Sequence, residues 1–325
     1  MLAACGGGGG ATASSGFSQT FTVAGGIGEL MSYTINTANK TYSYSITKSS
    51  YGLTGQTGNG TLSQNSDGSY SPSESTNSRI FGLENGLIVG AVKLNVNGSD
   101  KVVPISGISH PITVLSDLAG TYNYIIESCP SNASCNPNTN YGTIKIDSTG
   151  NYIQCTATNI TTSSTCNDTS GTIVASSTSG QWNFNRGGVV QGNNLLAYKA
   201  NGVTVLNIDM NDAGIYGYGV MWASTQASIT SANSDGTWHT VSNTGDTGTI
   251  ITAGGNFTSV EYDISGARKT PPSNITLVND APFIGFATTM NGNTAIGYSM
   301  LSGAGQFTAI TADPQWHYYQ IGVKQ

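Results

Sequence analysis

One pattern recurs three times and constrains the fold more than any other feature of the chain. Gly60-Thr61-Leu62 leads to Asp67-Gly68-Ser69-Tyr70, Gly142-Thr143-Ile144 to Thr149-Gly150-Asn151-Tyr152, and Gly248-Thr249-Ile250 to Gly254-Gly255-Asn256-Phe257. From first Gly to aromatic the interval is ten, ten and nine residues, and each turn offers a Gly where twisted strands need a positive φ. A second hairpin signal follows each copy, at Asn97-Gly98, Asn201-Gly202 and Asn291-Gly292, and Gly120-Thr121-Tyr122 upstream of the second copy matches Gly236-Thr237-Trp238 upstream of the third. Thr41-Tyr42-Ser43-Tyr44-Ser45-Ile46 alternates at period two, whereas helical periodicity is absent. The expectation is an all-β chain of three repeated antiparallel meander modules, each a small barrel or sandwich. A six-bladed β-propeller with two blades per repeat is the alternative. Module boundaries fall near Pro111 and near Ser231-Ala232-Asn233-Ser234, giving 21–111, 112–231 and 232–325 after a disordered segment over 1–20.

Composition removes several functions. Of 325 residues, 11 are Lys or Arg and 17 Asp or Glu, for a net charge of −6. Such a surface cannot build the basic stripe that neutralises phosphates, which argues against nucleic acid as a partner. The longest apolar run, Leu87-Ile88-Val89-Gly90-Ala91-Val92, is far short of a spanning helix, and strands polar on both faces do not suit a lipid-facing band. Modules that open on Gly-Thr-aromatic and meander through hairpins loosely resemble small up-and-down barrels of the lipocalin and avidin kind, a likeness that brings no ligand with it.

Leu2-Ala3-Ala4-Cys5, followed by five glycines and a run of small residues, cannot pack a core. It resembles a bacterial lipobox, in which Cys5 becomes the lipidated first residue of the mature protein. The charged and apolar parts of a secretory signal would then precede Met1. The resemblance implies diacylglycerol and palmitate on Cys5, a glycine tether holding the folded part a few nanometres from a bilayer, and, with Gly6 rather than Asp after the Cys, the outer membrane.

The four remaining cysteines, Cys129, Cys135, Cys155 and Cys166, lie within 38 positions. An even number so placed in an exported chain reads as two disulfides. Their intervals of five and ten residues do not match paired Cys-x2-Cys zinc ligands. Of three connectivities the local one is preferred, Cys129 with Cys135 and Cys155 with Cys166, which would staple the second module.

No catalytic constellation stands out. Gly-x-Ser-x-Gly and His-Glu-x-x-His are both absent, and the three histidines, His110, His239 and His317, are scattered. Asp209-Met210-Asn211-Asp212-Ala213-Gly214 has Ala213 where a calcium loop needs a ligand. Glycoside hydrolysis needs two carboxylates across a sugar, and Asp209, Asp212, Glu261 and Asp263 are available. Glu261 and Asp263 would share a strand face about 7 Å apart, though solvated strand charges explain them as well.

Aromatic side chains are the binding candidates. Tyr216, Tyr218 and Trp222 share one strand face opposite Gly217 and Gly219, and would either stack on a planar ligand or fill a core. Trp238 poses the same choice. In Trp316-His317-Tyr318-Tyr319 four consecutive rings cannot all face inward, so a surface site is sought there first. The function this supports is a non-catalytic cell-envelope lipoprotein that displays β modules to a glycan or to an envelope or host protein, without metal or cofactor. A carboxylate-based enzyme processing envelope glycans is the alternative.

Overall fold

The computed structural model describes residues 16, 18–66, 68–73, 80–82, 86–129, 138–161, 166, 168–212, 217–263, 267–269, 275–312 and 318–325. Cys5 with its tether, Cys135, Tyr216, Trp316 and His317 lie outside them. The described chain is all β, apart from the four-residue helical turns Leu115–Leu118 and Ser231–Ser234. It forms three antiparallel sheets in sequence order, two of them closed eight-stranded barrels.

The first barrel starts at Ser18–Gly25 and ends at Ser99–Ile108, and these two strands pair through Thr22↔Ile108 to Gly25↔Ile105 to close it. The third runs from Gly236–Ser242 to Tyr319–Lys324 and closes through Trp238↔Lys324 to Ser242↔Gln320. Between them lies a nine-stranded sheet centred on Gly120–Cys129, which pairs with Asn138–Ile146 on one side and Gly217–Thr225 on the other. This sheet curls until Thr169–Ala175 meets Trp182–Arg186, yet Trp182–Arg186 touches Asn194–Ala200 only at Trp182↔Leu195, so the curl is incompletely sealed. Each sheet is a ring or near-ring around its own interior, and no propeller blades occur among the described residues.

The second and third copies of the repeat occupy equivalent places, the second and third strands of their sheets. The first copy does not. Gly60-Thr61-Leu62 lies in Thr57–Gln64 and leads to Tyr70–Pro72, the fourth and fifth strands of the first barrel. The pattern encodes a tight hairpin, and a meander contains many.

Period-two alternation assigns each strand face. In Thr41–Ser49, Tyr42 and Ile46 are buried with Tyr44 packed against them, and Tyr33 stacks on Tyr42 and Tyr44 at 5.9 and 5.8 Å. In Gly217–Thr225, Met221 and Ala223 fill the interior of the middle sheet. Val220 and Trp222 point the other way, into an apolar cluster shared by all three sheets with Ala24, Val89 and Ala91 of the first barrel and Phe286, Tyr319 and Ile321 of the third. The turn after Ser18–Gly25 threads this seam. A Cβ on Gly26 would collide with the Tyr319 hydroxyl, and one on Gly28, where φ is +87°, would come within 2.6 Å of the Met210 carbonyl.

Candidate functional site

The third barrel is filled at one end and hollow at the other. Trp238, Ile250, Leu277, Leu301 and Phe307 pack the filled end, where the Trp238 indole N–H donates to Thr252 Oγ1 at 3.0 Å. Towards the far end the inward positions become small or polar. Strand Asn256–Tyr262 points Phe257, Ser259 and Glu261 inward, Thr294–Leu301 contributes Gly297 and Ser299, and Gln306–Thr311 contributes Phe307, Ala309 and Thr311. The result is a cup of about 280 Å³.

Its charged groups come from three elements. Glu261 Oε1 accepts from Gln320 Nε2 at 3.5 Å, the long limit of a hydrogen bond, and the same Nε2 donates to Thr240 Oγ1 at 2.9 Å. Lys269 is drawn to the mouth by its backbone N–H, which donates to the Glu261 carbonyl, and its Nζ meets Asp246 Oδ2 at 2.6 Å. Burial raises the Glu261 carboxyl above its ordinary range; Gln320 and Lys269 oppose the rise and Asp246 adds to it. Burial likewise pushes the Tyr318 hydroxyl far up, reinforced by Glu261 and Asp246.

A second hollow, of about 320 Å³, opens in the first barrel beside Tyr33, Tyr42 and Tyr44. There the rings stack on each other, and the charged pair at its edge, Lys93 with Asp100 at 2.6 Å, neutralises itself.

The C-terminal aromatics separate by alternation: Tyr318 lines the cup and Tyr319 is fully buried in the seam. Trp222 is fully buried in the same seam, its ring 5.0 Å from Tyr319 and its Nε1–H donating to Ser106 Oγ at 2.8 Å. Trp238 is part of the plug, and Tyr218 is half-buried on the seam strand. Cys155 is bonded to Cys166, and Cys129 is also disulfide-bonded.

The carboxylates do not assemble as a hydrolytic pair. Strand Asn256–Tyr262 ends before Asp263, which leaves the alternation and takes the Ala267 N–H at 2.9 Å in a turn. Asp209 is fully buried between the first barrel and the middle sheet, held by Asn194 Nδ2 at 3.1 Å, and the Asp212 side chain lies outside the described residues. Beside Asp209 sits Glu29, also fully buried, its Oε1 accepting from Ser49 Oγ at 3.2 Å. Burial, and then Asp209, push Glu29 up to about 8; burial takes Asp209 to about 6 against the pull of Lys48 and Asn194. Lys48 itself reaches the Gly192 carbonyl across the seam. Among the described residues no three His, Cys, Asp or Glu gather as a metal site would require.

Sequence motifs touch the cup at Phe257, Glu261 and Tyr318 but do not bring these together, and Ser299 and Gln320 belong to none. The signal that could have joined them was Glu261 in alternation with Ser259 and Phe257.

No family model matches the chain, and no curated protein matches it. Among solved structures it is distantly similar to transferrin-binding protein B of Haemophilus parasuis, at 11% identity and a TM-score of 0.25 over 91% of this chain and 65% of that one. An intact transferrin-binding protein B with N and C lobes gives 9% identity and 0.22 over 91% and 66%. A protein of unknown function from Nostoc punctiforme gives 11% and 0.17 over 95% of each chain. The chain thus spans just under two thirds of the two transferrin-binding proteins, and likeness at these scores carries no argument about what it binds.

Proposed function

We propose that the protein is a non-catalytic cell-envelope lipoprotein, anchored through Cys5 at the outer membrane, whose modules 21–111, 112–231 and 232–325 serve ligand binding or structural contact. The observation that carries the binding part is the cup of the third barrel, with apolar walls, a few converging polar groups and one half-buried carboxylate. Against catalysis stands the separation of Glu261 from Asp263, since hydrolysis of a glycoside needs a second carboxyl facing the first across the bond. The anchor rests on Leu2-Ala3-Ala4-Cys5 and its glycine run. The shared seam supports rigid presentation of the modules rather than independent beads.

Two measurements test this reading. With a secretion signal restored, labelled palmitate enters the protein and Cys5→Ser abolishes the label; label retained in that variant removes the anchor. The Cys5→Ser chain is then passed over envelope glycans, host glycans and small amphipathic compounds while turnover is monitored. Saturable binding without product supports the reading. Product formation lost in Glu261→Gln establishes a glycan-processing enzyme in its place.

A further inference from the structure

We propose that the cup of the third barrel binds a small organic monocation, a primary ammonium on a single ring or short apolar chain, with Glu261 as its counter-ion. The inference rests on the binding reading above and names the ligand class of the same site.

The charge at the mouth carries the argument. Glu261 and Lys269 both line the cup there, and Asp246 stands behind Lys269 as its ion-pair partner. Lys269 and Asp246 satisfy one another at 2.6 Å, and Asp246 also takes the Thr244 hydroxyl at 2.7 Å. Among the described residues Glu261 takes one side-chain hydrogen bond, the long 3.5 Å contact from Gln320, whose amide is better engaged with Thr240. A half-buried carboxylate with one long donor is only partly compensated for the water it loses, and a cation bound beside it lowers that cost. Among the described residues Glu261 leaves one negative charge over, which selects a single positive one, repels an anion, and gives a neutral polyol no advantage.

Shape supplies the rest. Glu261, Ser259 and Phe257 lie on one inward row, so a ligand whose head meets Glu261 lays its body towards Phe257 and Phe307. Ser299 and Thr289 already share a hydrogen bond at 3.2 Å and present little unmet polarity to that body. A cavity of about 280 Å³ sits at the lower end of the range for ligand pockets, which limits the occupant to about one ring. Among the described residues the hollow of the first barrel has no such unbalanced charge, and it serves as an internal control.

The test is calorimetry on the full Cys5→Ser chain with three isosteric probes: phenethylamine, phenethyl alcohol and hydrocinnamate. Phenethylamine should bind saturably at one site. Losing the charged partner should weaken it by about tenfold or more, both for the alcohol on the unaltered cup and for phenethylamine on Glu261→Gln. Hydrocinnamate should not bind. Ser299→Leu, which fills the cup without touching a charge, should abolish phenethylamine binding while the thermal transition stays cooperative. Equal binding of alcohol and amine, unchanged affinity in Glu261→Gln, or no binding of the amine overturns the monocation. Alcohol binding as tight as the amine's that Ser299→Leu removes overturns the monocation while leaving the cup a binding site.

Discussion

The middle sheet and the third barrel begin as one design and end as opposites. Tyr122 pairs across to Ile144 and on to Gln154, just as Trp238 pairs across to Ile250 and on to Ser259. One level along, Tyr124, Gly142 and Thr156 stand where Thr240, Gly248 and Glu261 stand in the third barrel. In the middle sheet the Tyr124 ring lies over Gly142, whose Cβ would approach the hydroxyl to 2.7 Å, and the hydroxyl donates to the Cys155 carbonyl at 3.2 Å. Thr240 stops short of Gly248, and its Oγ1 accepts from Gln320 instead. The scaffold is the same in both. Side-chain volume at that level decides whether the interior is a packed core or a cup.

Truncating the larger side chain should therefore hurt one region far more than the other. Tyr124→Ala removes a fully buried ring and its hydrogen bond, with a cost of about 4 kcal/mol to unfolding, whereas Thr240→Ala should cost about 1 kcal/mol beside existing free space. Urea titrations of both variants check this. Equal costs would mean that the two levels are packed alike and that the cup is not a real difference.

The buried acids offer the next contrast. Glu261 faces a cavity, but Glu29 and Asp209 are sealed between the first barrel and the middle sheet, where Lys48, Ser49, Tyr51 and Asn194 are polar neighbours. Glu29 is raised to about 8 in the fold, so between the ordinary carboxylate range and that value the folded protein holds a proton that the unfolded chain has lost. The stability that Glu29 contributes is then greatest below about pH 4.5, falls as pH rises, and levels off above about pH 8. At about 1.4 kcal/mol per unit, reduced by coupling to Asp209 and Lys48, the fall is on the order of 3 kcal/mol. Glu29→Gln should flatten most of that slope and leave the protein more stable than wild type near pH 9 (about one unit above the folded value). An unchanged slope would place the proton elsewhere.

Local features of the fold were legible because they depend on neighbours in sequence. Turn glycines marked hairpins, and alternation in Thr41–Ser49 separated Tyr42 and Ile46 from the exposed hydroxyls. Closure was not legible, since Thr22↔Ile108 and Trp238↔Lys324 join the ends of long meanders. Nor does periodicity say what an outward face meets: Trp222 and Tyr319 alternate as surface aromatics would, yet each is covered by another sheet. The cup is a shortage of side chain, which no motif can display. It was written only in the difference between two aligned copies, Tyr124 against Thr240 and Thr156 against Glu261.

A smaller effect separates the regions through covalent chemistry. Cys155 and Cys166 close a loop with a sequence separation of 11, attached to the third strand of the middle sheet. The equivalent strand of the third barrel, Asn256–Tyr262, has no cysteine. Cys166→Ser should cost about 2.5 kcal/mol through the freed loop, and a mild reductant should lower the wild-type thermal midpoint but not shift probe binding in the cup. A reductant that abolished cup binding while the barrels stayed folded would show that the two regions are not separable in this way.

The smallest change in stability should come with the largest change in binding. Thr240→Tyr places in the third barrel the ring that the middle sheet already carries at that level, over Gly248 as Tyr124 lies over Gly142. The ring enters by turning the Glu261 side chain, which now stands over Gly248, out into the cup, and added burial and the lost Gln320 contact should offset each other to within about 1 kcal/mol. The hydroxyl would reach towards the strand bearing Glu261, and the cup would close. Phenethylamine binding should vanish in a protein whose urea midpoint has hardly moved. If Thr240→Tyr instead unfolds the barrel, its backbone is too narrow for a middle-sheet core, and curvature as well as side-chain volume divides the two regions. If it folds and still binds, the ligand sits above that level, and Lys269 and Tyr318 at the rim become the residues to change next.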